Sequence, residues 1–247
     1  MHRSRRLIRV ALFILPLSIP ALVQAQHEPL RSQSPINITR TNSCVGTLPQ
    51  LVVTRRIPVR EVWNNTGSPD EEATIRVAST PPEGRLELDG KAYHLRQYHL
   101  HTPAEHHING TVVAMEVHYV FEADDGSLAV IAQFVREGPY NAAFNPLLAA
   151  MPDGKSISVT IESSDPLGHT LQPWMVQPRS FRYSGSLTTH PYTTGVSWIV
   201  LADTITFSAD QMARFRRLFP HGNSREVQDI DGRIVRTDVP GFAGACR

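Results

Sequence analysis

Three histidines, His99, His101 and His118, are the residues whose type and spacing promise chemistry. On a β-strand, residues two apart project from one face, so His99 and His101 aim their imidazoles at a common point. Between them and His118 lies Ile108-Asn109-Gly110-Thr111, and Asn-Gly is a preferred centre for a two-residue hairpin turn. With that turn, Ile108 faces Thr111 and facing residues have numbers adding to 219. This register sets His101 opposite His118, with His99 diagonal to it. Such neighbours lie ~5 Å and ~7–8 Å apart, a suitable spacing for three imidazoles sharing one metal. A bulge between His101 and Asn109 would change the register. Three neutral His ligands, no Cys and an open fourth position describe catalytic zinc better than structural zinc, although affinity order alone does not select zinc over other divalent metals. Gln97 and Glu116 share the faces of His99 and His118 and are placed to accept the second ring N–H of each.

The segments that carry these residues read as strands. Thr74-Ile75-Arg76-Val77 and Arg85-Leu86-Glu87-Leu88 alternate, the latter ending in Asp89-Gly90. Residues 112–121 and 127–135 are long β-branched runs separated by Asp124-Asp125-Gly126, residues 156–161 alternate again, and Trp198-Ile199-Val200-Leu201 reads as a buried strand. Helical signals are few: one short helix over 145–151, and another opened by Ser208 as N-cap with Gln211 completing a capping box, stopping at Pro220. The expected fold is mostly β, a large twisted, mainly antiparallel sheet with a few short helices.

Arg3, Arg5, Arg6 and Arg9 precede a short apolar stretch, residues 10–23, and Val23-Gln24-Ala25 offers a cleavage site. Residues 1–25 are expected to be a signal peptide, leaving a single domain over 26–247, exported to a periplasm or secreted, with no membrane span after cleavage. A formal net charge of +1 without a basic stripe gives no reason to expect a nucleic-acid partner. Cys44 and Cys246 are the only cysteines. In an oxidising compartment they are open to one bridge tying the ends of the domain together, or to two free thiols.

Several ordered motifs together resemble an α-class carbonic anhydrase over residues 33–235. These are Gln33-Ser34-Pro35-Ile36-Asn37-Ile38, the run from Gln97 through His106, Met115-Glu116-Val117-His118, Leu128-Ala129-Val130-Ile131, Tyr183-Ser184-Gly185-Ser186-Leu187-Thr188-Thr189, and Asn223 to Gln228 with Arg233. The resemblance implies zinc at the base of a conical cavity and reversible hydration of carbon dioxide to bicarbonate and a proton. It assigns the zinc to His99, His101 and His118, and makes Thr188 the gatekeeper that accepts a hydrogen bond from the nucleophile and donates one to an ionised Glu105. It makes Val120, Val130, Leu187, Val196 and Trp198 the apolar pocket for carbon dioxide, with Val120 opposite His99 in the register above, and puts Thr189 in contact with bicarbonate.

The chain also departs from the family pattern. Only residues 26–32 lie between the expected cut and Gln33, where members usually carry a longer aromatic segment. Asn64 to Ala73 holds an insertion and lacks the histidine that relays protons in many members, which leaves His190 as the candidate proton shuttle. Arg76 stands where a neutral amide is common. The bridge found in many bacterial members would fall at Tyr192, so Cys44–Cys246 would be a different one. The alternative to an enzyme is a zinc-binding relative that acts as a binding protein with weak or no catalysis.

Overall fold

The computed structural model describes residues 31–54, 60–64, 74–79, 84–152, 157–161 and 178–246. The expected signal segment and most of the insertion after Asn64 lie outside the described residues. The strands are β1 (Asn37–Ile38), β2 (Ser43–Val45), β3 (Leu51–Thr54), β4 (Arg60–Asn64), β5 (Ile75–Ser79), β6 (Arg85–Leu88), β7 (Lys91–His101), β8 (His107–Ile108), β9 (Thr111–Val112), β10 (Met115–Glu122), β11 (Leu128–Glu137), β12 (Ser158–Ile161), β13 (Ser180–Ser186), β14 (Thr194–Leu201), β15 (Ile205–Phe207) and β16 (Val235–Thr237). Among the described residues two α-helices join them, α1 (Asn145–Ala150) and α2 (Ala209–Leu218).

Among the described residues one sheet dominates, in the order β12-β4-β5-β7-β10-β11-β14-β13-β16-β2, with β3, β6 and β15 attached beside it. The expected antiparallel pattern holds through its middle, β4-β5-β7-β10-β11. The sheet is nevertheless mixed, because β14 and β15 join β11 in parallel and β2 joins β16 in parallel. Each parallel pair joins segments far apart in sequence, so no local turn signal announces it.

Alternation along the central strands divides the apolar residues into two cores. Tyr98, Leu100, Val117, Tyr119 and Phe121 project to one face, where Phe144, Leu147, Met212 and Phe215 from the helical segments cover them. Val120, Val130, Ala132, Trp198 and Val200 belong to the cluster on the other face. Helix α2 starts as the sequence indicates. Ser208 Oγ accepts from the Gln211 backbone N–H at 3.3 Å, and Gln211 Oε1 accepts from the Ser208 N–H at 3.1 Å. Those two bonds satisfy groups that a helix N-terminus otherwise leaves open.

The expected run over 112–121 is two strands. Thr111–Val112 pairs with β8 around the Asn109–Gly110 turn, as anticipated, but in a separate small sheet with β1. β10 starts only at Met115. Cys44 and Cys246 form a disulfide with Cα atoms 4.8 Å apart, which decides between the two readings of those residues.

Candidate active site

Strands β7 and β10 bring the three histidines together, in a register two residues from the one expected. His99 faces His118 and His101 faces Glu116, so facing numbers add to 217. Between the His101–Glu116 pair and the His107–Val112 pair lie five residues on one side (102–106) and three on the other (113–115), and this surplus moves the register. Val120 consequently faces Gln97 rather than His99. An even shift keeps every side chain on its expected face. The ring centroids of His99, His101 and His118 lie 4.7 to 5.3 Å apart, all three rings are buried, and one nitrogen from each falls within 4.8 Å of the others.

The remaining ring nitrogens are already engaged. His99 Nδ1 lies 2.7 Å from Gln97 Oε1, His101 Nδ1 2.9 Å from the Asn223 carbonyl oxygen, and His118 Nε2 2.8 Å from Glu116 Oε1. Each of these acceptors fixes its imidazole as the N–H tautomer at that atom and leaves Nε2, Nε2 and Nδ1 with lone pairs turned inward. His99 Nε2 and His101 Nε2 are buried without a hydrogen-bond partner. Buried polar nitrogens left this way are costly unless something else binds them, and a three-nitrogen set fits zinc.

Glu116 anchors more than His118. Its Oε1 also lies 2.7 Å from His106 Nδ1, and its Oε2 accepts the backbone N–H groups of Glu105 and His106, both at 2.8 Å. His106 Nε2 is 2.7 Å from the Tyr183 hydroxyl, which donates to Ser34 Oγ at 2.9 Å. A Cβ on Gly185 would collide with Ser34 Oγ, so only glycine lets Ser34 sit there. Gly222, at φ +81°, would carry a Cβ 2.7 Å from the Thr102 carbonyl oxygen, and this close approach delivers Asn223 to His101.

Burial dominates the electrostatics. It lowers His99 well below the usual imidazole range, aided by the charges of His101, His118 and Arg76. Burial likewise brings His101 down to about 4 and lowers His118, so all three are neutral and ready to ligate. Burial would raise Glu116, but His106 and His118 outweigh it and hold the carboxyl well below its ordinary value. Burial pushes Glu105 up to about 7, opposed by His118, the Arg225 N–H (2.8 Å from Oε1) and a hydrogen bond with Thr188.

Above the cluster opens a cavity of about 300 Å³, lined by His99 and His118, by Gln97, Thr188, Thr189 and His190, and by an apolar wall of Val120, Val130, Leu187 and Trp198; Arg76, Arg96, Glu122 and Leu128 complete it. Val196 is fully buried in the same apolar cluster as Val120, Val130 and Trp198 and is not part of the lining. His190 is exposed at the rim, its ring 6.0 Å from that of Tyr192.

A sequence model described as eukaryotic-type carbonic anhydrase matches residues 24–239. The chain belongs to the α-carbonic anhydrase family. A carbonic anhydrase from Pectobacterium carotovorum is 33% identical over 208 residues, covering 83% of this chain and 79% of that protein. One from Klebsiella pneumoniae is 36% identical over 163 residues, covering 66% and 65%. The α-carbonic anhydrase of Thermovibrio ammonificans, solved with the inhibitor sulfanilamide, superposes with a TM-score of 0.75 at 31% identity over 83% of this chain and 86% of its own. This carbonic anhydrase therefore catalyses reversible hydration of carbon dioxide to bicarbonate and a proton, in a family that depends on zinc. The binding-protein alternative is not favoured by these relatives.

Asn223, His106, Tyr183 and Ser34 occur in the motifs that carry the resemblance, yet sequence spacing gave none of them a role. His101 and Asn223 are 122 residues apart and Tyr183 and Ser34 are 149 apart, so only the folded chain reveals the contacts.

Proposed function

We propose that this carbonic anhydrase holds zinc on His99 Nε2, His101 Nε2 and His118 Nδ1, and that Thr188 and Glu105 orient the oxygen that attacks carbon dioxide. The observation that carries this reading is the set of three buried imidazoles whose other nitrogens are already engaged, at the base of a half-apolar cavity. As in carbonic anhydrases generally, bound zinc acts as a Lewis acid that brings the pKa of water to about 7 and supplies a nucleophile at neutral pH. Gln97, the Asn223 carbonyl and Glu116 keep the three ligands in place.

Glu105 as carboxylate can only accept, so the single Thr188 hydroxyl hydrogen goes to it. The Thr188 oxygen is then left to accept, which turns the lone pair of the attacking oxygen toward carbon dioxide. The ionised form of Glu105 would be favoured by a divalent metal held by the three neutral imidazoles, against the burial that pushes it up to about 7. Val120, Val130, Leu187 and Trp198 shelter an uncharged, apolar substrate and exclude competing water. Val196 supports this wall from behind. Thr189 contacts the bicarbonate product, and His190 passes the released proton from the rim to buffer.

We also assign residues 1–25 to a cleaved export signal and 26–247 to one catalytic domain in a periplasm or outside the cell. The Cys44–Cys246 disulfide supports an oxidising compartment. No helix among the described residues is long and apolar enough to cross a bilayer.

Stopped-flow hydration of carbon dioxide by the zinc-loaded chain from Gln26 onward tests the site. Turnover with about one zinc per chain, both lost in His118→Ala, is the expected result. Equal turnover in His118→Ala would sink the ligand assignment. A folded wild-type chain that holds zinc without turnover would restore the binding-protein reading.

A further inference from the structure

The cavity offers its two reactants different walls. Carbon dioxide is uncharged and matches Val130 on β11 and Trp198 on β14. Bicarbonate is a planar monovalent oxyanion, and that wall gives it no donor. In the sheet order β5-β7-β10-β11-β14 the histidines stand on the middle strands, so β5 bounds the site on the side away from the apolar wall. The cavity-facing residue there is Arg76, paired directly with His99 in the β5–β7 register. Residues so paired point to the same face with Cβ atoms ~5 Å apart, which sets a guanidinium beside the metal-facing imidazole. Its charge is felt at both His99 and His101.

We propose that Arg76 is a substrate-binding residue for bicarbonate, its planar fork donating to the anion on the side of the cavity opposite the carbon dioxide wall. The inference rests on the site proposed above. A guanidinium presents paired donors in a plane that matches an oxyanion, which an ammonium cannot copy. Two consequences follow. Bicarbonate is retained after hydration and captured readily for dehydration, and small oxyanions of the same shape compete for the cavity. Because both directions share one equilibrium constant, loss of Arg76 cannot change kcat/KM for bicarbonate without changing that for carbon dioxide equally. Binding is therefore the deciding quantity.

Nitrate is planar, monovalent and unreactive, and serves as the probe. Its affinity is measured by titration calorimetry for the zinc-loaded wild type, Arg76→Gln, Arg76→Lys and Arg179→Gln, the last removing a cation paired with Asp203. Carbon dioxide hydration is followed for each in parallel. The expected result is a rise in nitrate Kd of about ten-fold in Arg76→Gln, consistent with loss of a charge-assisted hydrogen bond. Arg76→Lys should rise several-fold, and Arg179→Gln should match wild type. If Arg76→Gln does not fold, the lysine variant carries the decision by the same criterion. Nitrate affinity within two-fold of wild type in the Arg76 variants overturns the proposal, as does a wild type that hydrates carbon dioxide and binds no nitrate. A wild type that binds nitrate through Arg76 but shows no hydration would instead sink the catalytic site and leave the anion site standing.

Discussion

Strands β7 and β10 carry two different proteins on their two faces. One face presents Gln97, His99, His118 and Val120 to the cavity and buries His101 and Glu116 beneath it; the other presents Tyr98, Leu100, Val117, Tyr119 and Phe121 to the helix-covered core. Both faces are buried, so burial alone does not separate them. The difference lies in what satisfies each side chain. The core face needs only apolar neighbours, and any well-fitting volume will do. On the cavity face each buried nitrogen and carboxylate needs a particular acceptor or donor, and these come from Gln97 and Glu116 on the same strands, from Glu105 and His106, from β13 and from the segment around Asn223. Stability and chemistry are thus assigned to alternate residues of the same strands.

This division is tested most strongly from the core side. Phe121→Ala should cost about 3–5 kcal/mol in denaturant unfolding, because a fully buried ring is removed. Below its melting temperature the variant should keep kcat/KM within about two-fold of wild type. A collapse of activity in well-folded Phe121→Ala would show that the faces are not independent. From the cavity side, Gln97→Ala should weaken zinc about ten-fold in a chelator competition, since His99 loses the acceptor that fixes its tautomer. Its metal-free stability should stay within about 0.5 kcal/mol of wild type. Similar losses from both measurements would make Gln97 a structural residue. The smallest effect belongs to the rim. His190→Ala should lower kcat a few-fold in dilute buffer and not at all in concentrated buffer, with kcat/KM unchanged. No buffer dependence in the comparison would remove His190 from proton transfer.

The sequence made the cavity face legible because strand period and a strong turn signal are both local. His99 and His101 are two apart, and Asn109–Gly110 marks the return. Capping residues Ser208 and Gln211 were legible for the same reason. The register failed by two residues because the excursion through Thr102–His106 is longer than its return, and no pattern within it says where pairing resumes. Val196 was assigned to the pocket by resemblance; it is fully buried in the same cluster as Val120, Val130 and Trp198 but is not part of the cavity lining. The Asn223 carbonyl carries no side-chain signal at all, since any residue has one. Parallel docking of β14 on β11 was also hidden, because its pairing depends on the whole intervening chain.

The disulfide between Cys44 and Cys246 spans 202 positions of the sequence and encloses the three histidines and every residue of the cavity lining. The chain between the two cysteines is therefore a covalent ring. A protease that cuts it once, anywhere inside that ring, opens the ring but frees no fragment. The two pieces stay one molecule, with every ligand still tethered to its partners, until a reductant parts them.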